Sequence, residues 1–186
     1  MNKTLITFFT VLFCLTSSVG WSLTMKDLEY RDGFHYKKFT DVPFTGKIDG
    51  QFNGLIENGK REGSWVVFHQ NGYLYFKGDY KNGEEEGSWV KYFDNGLLYF
   101  KGDYKNGKEE GYWVTYDYDG KLQYITNHKN GKLEGSWVSY WRNGKLLSKG
   151  NFKNNMREGS WDDYNKDGTI NKEETGTYKD GVKISD

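Results

Sequence analysis

The stretch Gly87-Ser88-Trp89-Val90-Lys91-Tyr92-Phe93-Asp94-Asn95-Gly96-Leu97-Leu98-Tyr99-Phe100-Lys101-Gly102-Asp103-Tyr104-Lys105-Asn106-Gly107-Lys108-Glu109-Glu110 decides the fold. It holds two runs of β-favouring residues, each ended by Asn-Gly, the strongest short-range hairpin signal because both residues tolerate positive φ. Such a stretch folds as a strand, a tight turn, a second strand and another turn. The pattern returns every 24 residues, as Gly63/Trp65/Phe68, Gly87/Trp89/Tyr92, Gly111/Trp113/Tyr116, Gly135/Trp137/Tyr140 and Gly159/Trp161/Tyr164. A fixed period of this length marks stacked units that bury their apolar faces on one another. The expectation is an all-β array of about five tandem hairpin repeats.

The first turn recurs as Asn71-Gly72, Asn95-Gly96, Asp119-Gly120, Asn143-Gly144 and Asp167-Gly168. The second recurs as Asn58-Gly59, Asn82-Gly83, Asn106-Gly107, Asn130-Gly131 and, without its glycine, Asn154-Asn155. No window of helical length lacks such a breaker, so helix is excluded except as a stray turn. A three-residue first turn, type I closed by a glycine bulge, pairs Phe68 with Leu74 and Val66 with Phe76 and gives one continuous apolar face. A two-residue turn would instead put Trp65 and Val67 on the Leu74 face. The first arrangement is favoured, because the position two after Trp drifts through Val67, Lys91, Thr115, Ser139 and Asp163 as a solvated site would. The Trp column then stands on the second face.

Two readings of Trp65, Trp89, Trp113, Trp137 and Trp161 follow. As packing, they cover the gaps between hairpins, the usual fate of large aromatics. As a site, they form an exposed ladder that grips a glycan or peptide. The Glu-Gly pairs before each Trp, such as Glu86-Gly87, read as a tight start to the strand beside a solvated charge.

The chain is 35% hydrophobic but 18% aromatic, so burial rests on Trp, Tyr and Phe. Residues 1–20 combine Lys3, an apolar run from Leu5 to Leu15 and small residues Ser17, Ser18 and Gly20, which reads as a secretory signal peptide. The run is shorter than the roughly 18 residues of a membrane span. Cleavage is expected after Gly20 or Ser22. The one cysteine, Cys14, follows Phe13, where a lipid-anchoring signal would want a small residue. The expected product is exported, periplasmic or extracellular, without lipid anchor, membrane insertion or disulfide. It keeps 25 basic against 26 acidic residues, interspersed, which leaves no electrostatic footprint for nucleic acid or anionic lipid. The order is then a signal peptide over 1–20, a leader with first strands over 21–53, repeats over 54–164 and a degenerate capping repeat over 165–186.

The run Gly102-Asp103-Tyr104-Lys105-Asn106-Gly107-Lys108-Glu109-Glu110-Gly111-Tyr112-Trp113 resembles the membrane occupation and recognition nexus (MORN) repeat in its bacterial variant, with Trp after the final glycine. The leader pieces Arg31-Asp32-Gly33, His35-Tyr36 and Val42-Pro43-Phe44-Thr45-Gly46-Lys47 resemble those of YwqK-type antitoxin proteins. Thr126 and Asn155 depart from the pattern where glycine is expected, and Gly176 comes two residues late. The resemblance implies an elongated single-layer antiparallel meander that serves as a scaffold for proteins or, in some members, lipids.

Residues 163–174 also satisfy the twelve-residue calcium-loop string, with Asp163, Asn165, Asp167 and Glu174 as candidate ligands. Half of that string is the ordinary repeat, and glycines on both sides exclude flanking helices, so a degenerate last hairpin is the plainer reading. His35, His69 and His128 occupy different places in the period, none beside a nucleophile. A repeat multiplies one group along a line, whereas catalysis needs unlike groups at one point. The sequence therefore points to an exported, non-enzymatic scaffold without cofactor that binds an unknown protein partner, with glycan or cell-envelope binding through the Trp column as the alternative.

Overall fold

Two kinds of turn, alternating along the chain, build the fold of residues 22–186, which the computed structural model of the protein describes. The signal-peptide reading of residues 1–20, with Cys14, lies outside the described residues. In the second turn both residues have positive φ, as at Asn82 (53°) and Gly83 (87°). This is a type I′ turn, whose twist matches that of the flanking strands. Asn154 and Asn155 reach the same geometry at 51° and 69° without glycine. In the first turn only the glycine is left-handed, with Gly72 at 88°. The His69 carbonyl accepts the Gly72 N–H at 3.0 Å and the His69 N–H donates to the Tyr73 carbonyl at 2.7 Å. This is the three-residue type I turn with a glycine bulge expected from the sequence.

The leader is a hairpin of β1 (Leu28–Arg31) and β2 (Phe34–Lys37). Thirteen strands then form one antiparallel sheet in chain order: β3 (Gly46–Ile48), β4 (Phe52–Glu57), β5 (Lys60–Phe68), β6 (Leu74–Lys81), β7 (Glu84–Tyr92), β8 (Leu98–Lys105), β9 (Lys108–Tyr116), β10 (Leu122–Lys129), β11 (Lys132–Tyr140), β12 (Leu146–Lys153), β13 (Met156–Asp163), β14 (Gly176–Lys179) and β15 (Val182–Ser185). The meander thus runs beyond residues 54–164 at both ends. The leader joins it at the first type I′ turn, where His35 N–H donates to the Gly59 carbonyl at 2.7 Å and Gly59 N–H to that of Phe44 at 2.8 Å.

The faces differ from expectation. Phe68 pairs with Leu74, as the three-residue turn requires, but Val67, not Val66, then pairs with Phe76. Tyr75 is the extra residue of a bulge, and a one-residue shift moves every later side chain to the opposite face. Trp65, Val67, Phe76 and Gly78 therefore share one face, while Val66 pairs with Lys77 and Ser64 with Asp79 on the other. The Trp face is the buried one: Trp65 is 0% exposed, Trp89 5%, Trp113 4% and Trp161 1%. The expectation that the Trp column stands on the face opposite Phe76 is corrected, while its reading as packing holds for these four.

The drifting position two after Trp also faces the core. Val67, Ser139 and Asp163 are buried there, and its variation reflects polar partners rather than solvent. The Ser139 hydroxyl bonds that of Ser148 at 2.8 Å, Asp163 takes the Arg157 guanidinium at 2.9 and 3.1 Å, and Lys91 Nζ sits 4.8 Å from the Tyr75 ring centre. The opposite face is the wet one, where hydroxyls meet carboxylates, as Ser88 does Asp103 at 2.6 Å.

Candidate functional site

The Gly-x-Trp signature is a strand bulge. Gly87, Ser88 and Trp89 together stand opposite Gly78 of the preceding strand, between the Lys77–Val90 and Asp79–Glu86 pairs. Gly87 turns the chain with φ of 67°, and the Trp89 indole swings back over Gly78, where a Cβ would lie 2.3 Å from its Cδ2. Gly54, Gly102 and Gly150 seat Trp65, Trp113 and Trp161 in the same way. The indole N–H of Trp65, Trp89 and Trp161 donates to the carbonyl just after its seat, those of Leu55, Asp79 and Asn151, at 3.0 to 3.1 Å. Phe76 stacks on Trp89 with ring centres 5.1 Å apart, and Tyr80 and Tyr104 meet it edge-on at 5.0 and 5.7 Å. A single-layer sheet thus makes its own core by laying each indole on a glycine and walling it with rings from the strands on either side. These four indoles are consumed by packing and present no ladder to a ligand.

Trp137 is the exception. Its seat is Thr126, and a side chain there excludes the indole, so Trp137 pairs with Thr126 directly and the three-against-one bulge slides to Glu134, Gly135 and Ser136 opposite Asn127. Trp137 is half-buried, donates to Ser148 Oγ at 3.2 Å and leans on Tyr124 with ring centres 5.3 Å apart.

Successive repeats are stapled at both edges. At the type I′ edge the glutamate of each Glu-Gly pair accepts the N–H of the next turn's first residue: Glu62 from Asn82, Glu86 from Asn106, Glu110 from Asn130, Glu134 from Asn154 and Glu158 from Asp180, at 2.8 to 3.1 Å. The reading of these glutamates as solvated charges is corrected. Their strict return every 24 residues was the available signal, and the role was hidden because the partner lies about one repeat away. At the other edge Asn71, Asn95 and Asn143 each donate a side-chain amide to the next turn, to the carbonyls of Asp94, Tyr118 and Lys166. Asp119 has no such donor, and Arg142 donates to its carboxylate instead, which lowers the Asp119 pKa.

A contiguous row of open apolar and aromatic side chains lies beside the first-turn edge of the early repeats. Tyr73, Leu97 and Tyr118 are exposed by 55%, 43% and 54%. Behind them Tyr75, Phe93 and Tyr99 are half-buried, Phe93 touching Tyr99 and Tyr118 at 4.7 and 5.2 Å between ring centres. Lys91 lies among Tyr75, Tyr99 and Phe100. The Tyr118 hydroxyl donates to Asp94 at 2.7 Å, which raises its pKa.

The four calcium-loop candidates do not converge. Asp163 faces the Trp side and is held by Arg157; burial pushes its carboxyl up while the guanidinium pulls it down. Asn165 donates to Thr169 Oγ1 at 3.0 Å, and Asp167 accepts the Thr169 N–H and hydroxyl at 2.9 and 2.7 Å, which lowers its pKa. Glu174 lies 3.9 Å from Arg157. Asn165 and Gly168 close a fifth copy of the first turn, with hydrogen bonds of 2.8 Å to Thr169 and from Gly168 to Asn165. Among the described residues no group of three or more His, Cys, Asp or Glu is placed to hold a metal ion. The histidines serve turns and strands: His69 Nε2 sits 3.0 Å from the Tyr92 carbonyl, and His128 lies between Thr126 Oγ1 and Glu109 Oε2, 2.9 Å from each. Among the described residues no helix is long and apolar enough to cross a membrane.

The MORN repeat variant family matches residues 61–82, 109–130 and 133–154. Each matched span begins in a Gly-x-Trp strand and ends at a type I′ turn, the unit seen in the sheet. A comparison with curated proteins finds no match. The matched repeats belong to the MORN repeat variant family, and the chain is a repeat protein built from such hairpins.

Proposed function

We propose that the protein is an exported, non-enzymatic scaffold that binds a protein partner through the tyrosine-rich strip at the first-turn edge. The observation that carries this reading is the open row Tyr73, Leu97 and Tyr118 over half-buried Tyr75, Phe93 and Tyr99. Tyrosine gives large contact area at low entropic cost and is enriched at protein interfaces, whereas a lipid-binding surface would be polybasic. The nearly neutral charge supports a protein over an anionic membrane. Resemblance to antitoxin-labelled relatives makes a toxin one candidate for that partner. The test is a pull-down from the exported fraction with the wild-type chain and with a Tyr73→Ser, Leu97→Ser, Tyr118→Ser variant. The expected result is a stoichiometric partner retained by the wild type and lost by the variant at unchanged melting temperature. Equal capture by both refutes the strip as the binding surface.

A further inference from the structure

Two arginines stand at the same place in the repeat, four periods apart. Arg157 lies over the Trp161 and Tyr178 rings at 4.2 and 5.1 Å, and Arg61 over those of Trp65 and Tyr80 at 4.9 and 5.2 Å. Arg157 is neutralised by Asp163. Four periods before Asp163 the chain has Val67, and among the described residues no carboxylate pairs with Arg61. Its hydrogen bond goes from Nη1 to the Tyr80 hydroxyl at 2.9 Å, which leaves that hydroxyl's proton and the remaining guanidinium donors for another acceptor.

Arg61 lines a cavity of about 560 Å³ between the leader hairpin and the type I′ edge, together with Tyr30, His35, Lys60, Tyr80, Glu84 and Glu85. This volume falls within the range of small-molecule sites. His35 is buried, and its Nδ1 lies 3.0 Å from the Gly59 carbonyl, which can only accept. The proton is therefore on Nδ1 and the neutral ring offers Nε2 as an acceptor. Burial, and then the Arg61 charge, lower its pKa and favour that neutral form. The cavity thus combines the Arg61 guanidinium from β5 with the Glu85 carboxylate from β7 and a neutral acceptor from β2.

We propose that this cavity binds a short peptide with free ends, its carboxylate held by Arg61 and its ammonium group by Glu85 and His35 Nε2, Arg61 and Glu85 both standing on the Tyr80 side of the sheet. Arg61 takes from the ligand the carboxylate that Arg157 takes from Asp163. Strands β5 and β7 are two sheet spacings apart, about 10 Å. An extended dipeptide spans about 7 Å, which inward-reaching side chains bridge. The site is separate from the tyrosine strip, so either can fail alone.

The experiment follows the amide resonances of Gly33, Gly59 and Gly83, which line the cavity, during titration with alanyl-alanine, its N-acetyl form and its C-terminal amide. Saturable shifts are expected with the free dipeptide, and affinity about tenfold or more weaker with either capped form. Binding should vanish in Arg61→Leu, since Leu133 occupies that position in another repeat. It should also vanish in Val67→Asp, which supplies the carboxylate internally. Dispersed Gly54 and Gly78 resonances, from the strands that pair with β5, establish that the substituted repeat is folded. Absence of saturation at millimolar dipeptide, equal affinity for a capped form, or retained binding in folded Arg61→Leu overturns the proposal.

Discussion

Replacing Gly102 by alanine should test how the core of a one-layer sheet is made. A Cβ at Gly102 would lie 2.2 Å from Cδ2 of Trp113 and 2.4 Å from its Cε2, whereas relaxed carbon contacts lie at about 3.5 to 4.0 Å. The indole must retreat by roughly 1.5 Å, which loosens it from Phe100 and Tyr104, whose ring centres are 5.1 and 4.9 Å away. The cost lies between overpacking, about 1 to 3 kcal/mol, and outright loss of a buried aromatic, about 3 to 5 kcal/mol. We expect about 3 kcal/mol, the value common to both ranges. For a chain of this size that is a fall in Tm of about 6 to 12 °C.

Gly111→Ala, nine residues along the same repeat, should fail differently. Nothing lies within 4 Å of a Cβ there, but φ is 68°, and the left-handed region costs an alanine about 1 to 2 kcal/mol. The two mechanisms separate in a Trp113→Ala background, measured by thermal and urea unfolding. Without the indole, Gly102→Ala should cost nothing or stabilise by about 0.5 kcal/mol, since glycine weakens a strand. Gly111→Ala should keep its full cost. If the Gly102→Ala penalty is the same with and without Trp113, the glycine is not a seat for the ring and the account of the Gly-x-Trp period is wrong.

Glu86→Ala should cost about 1 to 2 kcal/mol and speed hydrogen exchange at the Asn106 amide, with Glu86→Gln restoring most of the protection, because the lost contact is a hydrogen bond to a backbone donor. Thr126→Gly should let Trp137 settle on its seat, seen as weaker acrylamide quenching and loss of the Ser148 contact. Unchanged quenching would contradict that reading. Burial first, then the charges of Glu109 and Glu85, push the Tyr104 hydroxyl up to about 12, against 10.0 for a free tyrosine. The folded state therefore resists ionisation that the unfolded chain undergoes, so this contribution is intact below pH 10 and is lost as pH rises towards about 12. Alkaline melting curves of Tyr104→Phe should lack that part of the decline. Asp119→Asn should make Arg142→Ala neutral, by restoring the amide that Asn71, Asn95 and Asn143 donate at the same place, and a double-mutant cycle reads this coupling directly.

Turn chemistry was legible residue by residue: a left-handed Gly72 after Asn71, and two left-handed residues at Asn82-Gly83, follow from where Asn-Gly recurs. Face assignment was not, because it counts alternation outward from the turn and a single bulged residue, Tyr75, reverses the count while leaving the strand pattern intact. The corrective signal was the glycine itself. Gly78, Gly102 and Gly150 recur on the stripe of the second strand where an apolar side chain would be expected, and a residue without a side chain in a strand marks a place that something else must cover. Variation between repeats carries the same kind of information, since each repeat is a comparison for the others. Where the seat becomes Thr126, Trp137 moves; where the turn amide becomes Asp119, residue 142 is an arginine; where Asp163 replaces Val67, Arg157 is paired. Arg61 breaks that last correspondence, keeping the ring contacts of Arg157 without its carboxylate. Where the departures at Thr126, Asp119 and Asp163 are each compensated within the chain, the uncompensated charge of Arg61 is where a ligand from outside should be sought.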